Sequence, residues 1–126
     1  MDSHDKRKRF ILLGSFSFAI AGILTAIQNE RNMRIHLISL LMVLILSFYF
    51  SISRIEWLFI LFAIGGVVAL ELMNSAIERV VDLVTEEYHP LAKQAKDIAA
   101  GAVFIYAILS VIVGIIIFLP YVLKQF

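Results

Sequence analysis

Residues 57–70 carry no charged side chain, and the next residue is Glu71. Glu78, Asp82, Glu86, Glu87 and Asp97 follow, with neither glycine nor proline at the junction between the two zones. An apolar run of this kind is suited to lipid. A carboxylate at its very end is costly unless paired or metal-bound, which makes it a functional-site candidate by default. Composition points the same way. Hydrophobic residues make up 61% of the 126 residues, against about 45–50% in a soluble domain. One small core cannot hide that excess, so a single-domain membrane protein is the class favoured.

Other classes are excluded more briefly. The net charge is +1, and Lys and Arg form no extended stripe, which argues against a nucleic-acid partner. The chain has no cysteine, hence no disulfide framework, thiolate nucleophile or cysteine metal site. Neither G-x-x-x-x-G-K-[ST] nor G-x-G-x-x-G occurs. Gly65 and Gly66 fall inside an apolar run, where small residues let helices pack closely.

Three apolar runs read as helices at residues 35–50, 55–85 and 99–123. Residues 35–50, 55–70 and 99–123 are the spanning portions, the first two slightly short of the ~20 residues needed to cross a ~30 Å hydrocarbon core. Arg54 and Glu56 mark a tight turn outside the membrane between the first two. Pro120 lies close enough to a helix end to do little harm.

Residues 10–28 admit three readings: a fourth span, a cleaved signal peptide, or a helix lying in the interface. Lys6, Arg7, Lys8 and Arg9 resemble the basic region of a signal peptide, and Ala19, Ile20 and Ala21 its cleavage site. Nothing resembling a secreted domain follows. Charge distribution separates the other two. If residues 10–28 do not cross, nine basic residues share one side of the membrane against two on the other. If they do cross, the split is six against five. The positive-inside rule therefore favours a basic tail at residues 1–9, a surface helix at 10–31 and three spans, with the N-terminus cytoplasmic. Gly14, Ser17, Ala21 and Thr25 form a small, weakly polar stripe opposite bulkier Leu12, Phe16, Ile20 and Ile23, as an amphipathic interfacial helix would have.

Beyond residue 70, Glu71, Asn74, Glu78 and Asp82 recur at i, i+3, i+7 and i+11, on one helical face. The helix should end before Pro90, which drives His89 out of helical geometry. These carboxylates can also be read as a solvated face of a helix leaving the membrane. That reading fits Glu71 badly, because it abuts Leu70 with no Lys or Arg beside it. A second polar cluster, Asn29, Glu30, Arg31, Arg34 and His36, lies at the same face of the membrane. Headgroup anchoring explains Arg31 and Arg34 but not Glu30. Carboxylates converging from two helices suit Mg²⁺, which takes oxygen ligands and keeps waters and substrate phosphates. His36 and His89 alone make no zinc site and read as hydrogen-bonding or headgroup residues.

The stretch E-x-x-N-S-A-I-E-x-x-V-D (Glu71 to Asp82), then Glu87, Tyr88 and His89, then Ala95, Lys96 and Asp97, resembles the small prokaryotic diacylglycerol kinase family. Asn29, Glu30, Arg31 and Asn32 fit as well, and the resemblance covers nearly the whole chain. It implies an all-α integral membrane homotrimer in the cell membrane, each subunit with three spans and an N-terminal surface helix. Sites lie between subunits on the cytoplasmic face. The implied activity is transfer of the ATP γ-phosphate to a lipid alcohol with Mg²⁺. By the same resemblance Glu71 is the base, and Glu30 and Glu78 hold the metal. Asn74 orients the reacting groups and Lys96 neutralises phosphate charge. Glu87, Tyr88, His89 and Asp97 line the nucleotide site together with Glu30, Asn74 and Glu78. Asn29 and Asp82 support it, and Arg34 and Ser75 meet the lipid.

Two departures bear on the acceptor. The first segment lacks the tryptophans and basic positions of diacylglycerol-using members, with Ala21 and Leu24 standing instead. The stretch Glu30 to Leu37 is similar to the Gram-positive branch, which mainly phosphorylates undecaprenol. Undecaprenol is therefore the expected acceptor and diacylglycerol the alternative. A non-catalytic membrane assembly protein is the reading from another class. It gives no reason for Glu71, Asn74 and Glu78 to share a face opposite a further carboxylate.

Overall fold

The computed structural model describes residues 2–126 and, among them, contains helix and no strand. Its four helices are α1 (Ser3–Asn29), α2 (Arg31–Tyr49), α3 (Arg54–Val84) and α4 (Pro90–Gln125). All four are long and apolar enough to cross a membrane. Helices satisfy every backbone group internally, which is what hydrocarbon demands of a spanning segment.

The ends of these helices follow from local chemistry. Pro90 stands in the first turn of α4, where its missing N–H costs nothing, and His89 caps it with Nδ1 accepting from the Leu91 N–H at 3.1 Å. That start takes α4 well ahead of residue 99. α1 begins at Ser3, so the four basic residues expected in a tail are helical. Between Ser3 and Asn29 the chain has no proline to stop it. Glu30 is the single non-helical residue between α1 and α2, with extended backbone (φ −109°, ψ 116°) that bends the chain sharply. α2 thus starts at Arg31 rather than near residue 35.

α2 and α3 meet in a tight turn with Ser51 in the left-handed region (φ 49°). Ser53 and Glu56 then form a reciprocal cap: the Ser53 N–H donates to Glu56 at 2.9 Å and the Glu56 N–H to Ser53 Oγ at 3.2 Å. The Tyr121 hydroxyl donates to the same Glu56 carboxylate, tying the far end of α4 to the start of α3. Around this end sits the buried core, Ile52, Ile60 and Ile117, with Phe50, Trp57 and Phe118 packed against it.

α3 and α4 form the closest helix pair. Within their apolar stretch the Tyr106 hydroxyl donates to the Phe62 carbonyl at 2.9 Å. Ser110 reaches the Ala63 carbonyl at 3.4 Å. Large side chains elsewhere face outward, Phe62 73% and Ile105 71% exposed, as lipid-facing residues are. α1 is exposed apolar surface along most of its length, with Ala26 its one buried residue.

Gly66 is required by the α3–α4 approach. A Cβ there would collide with the ring of Tyr106. Gly66→Val should therefore destabilise the detergent-solubilised protein by about 1–3 kcal/mol, the usual scale of overpacking. Tyr106→Ala in the same chain should relieve part of the loss, so that the double variant is less than additive in thermal unfolding.

Candidate functional site

α3 has 31 residues and at 1.5 Å per residue is about 46 Å long, well beyond a ~30 Å hydrocarbon core. Its excess carries the polar face. Glu71 is only 2% exposed, and Asn74 and Ser75 beside it are also buried. Glu71 Oε2 lies 3.8 Å from His36 Nε2 on α2. Glu30, at the bend between α1 and α2, faces the Arg79 guanidinium on α3 at 3.6 Å. The charges of Glu78 and Glu30 both act on Glu71, so three carboxylates from two parts of the chain share one neighbourhood. Two buried atoms here, Asn74 Oδ1 and Ser75 Oγ, have no hydrogen-bond partner among the described residues. Such atoms cost about 1–3 kcal/mol each when left unpaired, and native proteins rarely leave them without a purpose.

Ser75 also lines a cavity of about 360 Å³ between α1 and α3. Ala19, Gly22, Thr25 and Ala26 face it from α1, and Leu72 and Arg79 from α3. Arg34 Nη1 donates to the Gln28 carbonyl at 3.2 Å, placing a cation where the α1 dipole is negative. Asn29 turns back onto its own helix, donating to the Thr25 carbonyl at 3.0 Å.

A second group of polar residues surrounds a cleft of about 440 Å³ where α3 passes into α4. Asp82, Glu87, Tyr88, His89 and Lys96 all line it. The Lys96 ammonium donates to Asp82 at 2.7 Å. That hydrogen bond holds Lys96 above its ordinary pKa, and the charges of Asp82 and Glu78 add to the effect. Glu78 acts on both Glu71 and Lys96 and so links the two groups electrostatically. Asp97 pairs with Lys93 one turn earlier on α4 and is not part of the cleft wall.

Residues 17–118 match the family described as "Prokaryotic diacylglycerol kinase". The chain belongs to that family. It is 48% identical over 121 residues to the undecaprenol kinase of Bacillus subtilis, covering 95% of this chain and 98% of that one. It is 44% identical over 110 residues to a diacylglycerol kinase of Synechocystis sp., covering 86% of this chain and 63% of that protein. A diacylglycerol kinase of Haemophilus influenzae is 33% identical over 108 residues, 85% of this chain and 92% of its own. The chain is a lipid kinase, and its reaction is ATP-dependent phosphoryl transfer. The non-catalytic reading falls with that.

For such a kinase the donor set fits a metal that arrives with its nucleotide. No three His, Cys, Asp or Glu side chains among the described residues form a ready-made metal site. Mg²⁺ does not need one, since one or two carboxylates suffice when waters and phosphates complete the octahedron. Glu30 and Glu78, whose charges both reach Glu71, are carboxylates of the kind that would suit such an ion, and Asn74 Oδ1 is left without a hydrogen-bond partner among the described residues. Two residues stand out that the sequence pattern did not mark. Arg79 holds Glu30, a contact between positions far apart in the chain that no spacing could show. His36, read from the sequence as a hydrogen-bonding or headgroup residue, lies 3.8 Å from Glu71, a neighbour the sequence did not name.

Proposed function

We propose that this kinase phosphorylates undecaprenol at the cytoplasmic face of the cell membrane, using ATP and Mg²⁺, as a homotrimer. The observation that carries the proposal is Glu71: a buried carboxylate at the end of an apolar run, within electrostatic reach of Glu30 and Glu78. A base in that place can take a proton from an alcohol that never leaves the lipid. For undecaprenol over diacylglycerol, support comes from the near-complete coverage shared with the Bacillus subtilis undecaprenol kinase. Ala21 and Leu24, standing where diacylglycerol-using members have other residues, add to it.

Phosphoryl transfer asks mainly for positioning and charge neutralisation. Mg²⁺, when bound, would supply positive charge against that developing on the phosphates. Glu30 and Glu78 would hold the ion, and Asn74 would orient the reacting groups. Lys96, aimed by Asp82, meets the phosphates from the α4 side. Glu87, Tyr88 and His89 form the wall of the nucleotide cleft, and Asp97 acts there through Lys93. Glu71 accepts the hydroxyl proton as the oxygen attacks. Ser75 and Arg34 lie toward the lipid, Ser75 in the cavity beneath α1.

α1 is read as a surface helix, with α2, α3 and α4 crossing. The cavity it shares with α3 is walled there by Leu72, Ser75, Ala76 and Arg79, all beyond residues 55–70, the stretch of α3 read as spanning. The nine-to-two division of basic residues supports the same arrangement. The subunits of a trimer would cover part of the exposed apolar surface and close the sites between neighbours.

The deciding assay offers purified protein in lipid labelled ATP with undecaprenol or diacylglycerol separately. Undecaprenol should be the better acceptor by kcat/KM, and a preference for diacylglycerol would reverse the assignment. In the same assay Glu71→Gln should lower kcat by about 10²–10⁴-fold with little change in ATP affinity. A variant retaining half the wild-type rate would remove Glu71 from the role of base.

Glu30→Ala and Glu78→Ala should each raise the Mg²⁺ concentration needed for half-maximal rate, and the double variant should be less than additive. Fully additive losses with an unchanged Mg²⁺ titration would speak against a shared ion.

Orientation is open to single cysteines, since the chain has none of its own. Ser3→Cys and Thr85→Cys should both resist a membrane-impermeant thiol reagent in intact cells and react after lysis. Labelling of Thr85→Cys before lysis would place the site on the wrong side of the membrane for cellular ATP.

A further inference from the structure

Each turnover of a lipid kinase releases a proton. The alcohol O–H bond breaks as the new O–P bond forms, ADP leaves, and the proton ends in water. A base that receives this proton must pass it on before it can act again. Glu71 is poorly placed to do so directly, because its side chain is only 3% exposed. We infer that His36 is the proton outlet of Glu71, an inference that rests on Glu71 being the base.

The geometry is specific. His36 Nε2 stands 3.8 Å from Glu71 Oε2, and the His36 side chain is 23% exposed. One side of the imidazole therefore faces the buried carboxylate while the residue retains contact with the surroundings. His36 also lines a groove of about 290 Å³ between α2, α3 and α4, whose walls include Ser39, Ile64, Val67, Ala107 and Val111. No other residue of that wall is ionisable. α2 contributes His36 and Ser39 there, α3 and α4 only apolar side chains. The titratable group against His36 is Glu71, on which Glu30 and Glu78 act through their charge. Arg34, two residues earlier, is bound to the Gln28 carbonyl instead.

The transfer balances without any further reactant. The Glu71 carboxylic acid gives its proton to His36 Nε2, leaving a carboxylate and an imidazolium. The imidazolium loses a proton to water, and the ring returns to its neutral form. An imidazole suits the task because its ordinary pKa of about 6.5 lies between a carboxylic acid and neutral solution. His36 is thus a positioning and relay residue that acts through Glu71, with no contact to the phosphates required.

The test compares His36→Gln and His36→Ala with the wild-type enzyme on labelled ATP and undecaprenol over a range of pH. Glutamine keeps a donor facing Glu71 and cannot carry a proton. Both variants should lose about 10²-fold in kcat near neutral pH, with KM for ATP unchanged. The rate should climb with pH more steeply than in the wild type, as hydroxide replaces the relay. Added imidazole should restore a large part of the His36→Ala rate, and the solvent deuterium effect on kcat should grow. A His36→Gln enzyme within twofold of wild type, with the same pH profile, would overturn the outlet while Glu71→Gln stays inactive. A loss that neither imidazole nor alkaline pH relieves would give His36 a structural role and equally overturn it. An active Glu71→Gln enzyme would instead bring down the assignment of the base, and the two failures are told apart by that control.

Discussion

A helix longer than the layer it crosses must carry its excess into water, and the site depends on that mismatch. α3 has 31 residues, roughly one and a half times the ~20 that a bilayer core requires. Its first half is anchored at the opposite end by the Ser53–Glu56 cap and by Tyr121. The remaining length therefore emerges on one side only, in a fixed rotational phase. That phase puts Glu71, Asn74 and Glu78 on a common face, with Glu71 directly after the uncharged residues 57–70. Moving the anchor by one residue would rotate the whole face by about 100°, since a helix has 3.6 residues per turn.

Electrostatics then explains why the acidic residues are spread along the helix and divided between elements. Carboxylates in one neighbourhood repel, as Glu30 and Glu78 do Glu71, and the repulsion must be met by cations. The chain meets it differently at each position. Arg79 faces Glu30, Lys96 binds Asp82, and Lys93 binds Asp97. Glu71 is given only a histidine. A permanent cation there would hold the carboxylate ionised and weaken it as a base, whereas an imidazole can take a proton or release one.

The all-α character and three of the helices were legible from the apolar runs, α1 only once the distribution of basic residues was weighed, and the shared face of α3 from simple periodicity. The end of α3 before Pro90 was legible from the proline alone. Less was visible where tertiary contact decides. The start of α4 at Pro90 was masked by the polar residues between 91 and 97, which made the helix look as if it began at the apolar run. The helical state of Lys6, Arg7, Lys8 and Arg9 was hidden because charged residues read equally well as tail. The candidate site divides in the same way. Glu71, Asn74 and Glu78 fall on one helical face by spacing, whereas His89 was assigned to the site through the family resemblance alone. The pairing of Glu30 with Arg79 and of His36 with Glu71 joins distant positions, and one sequence carries no signal for either.

Packing adds a last constraint, visible in how unevenly it is distributed. One buried cluster, Ile52, Ile60 and Ile117, lies at the α2–α3 turn, while Ala26, Met33, Val67 and Ala99 are buried in the half of the helices that carries Glu71. At the other end the helices are separated by cavities, one under α1 and one at the α3–α4 passage. A lipid headgroup and a nucleotide both need room to approach, and a well-packed core would exclude them. The cavities at the Glu71 end thus lie beside buried side chains, Ala26 and Met33 among them, and the continuous helix α3 joins that end to the cluster at the α2–α3 turn.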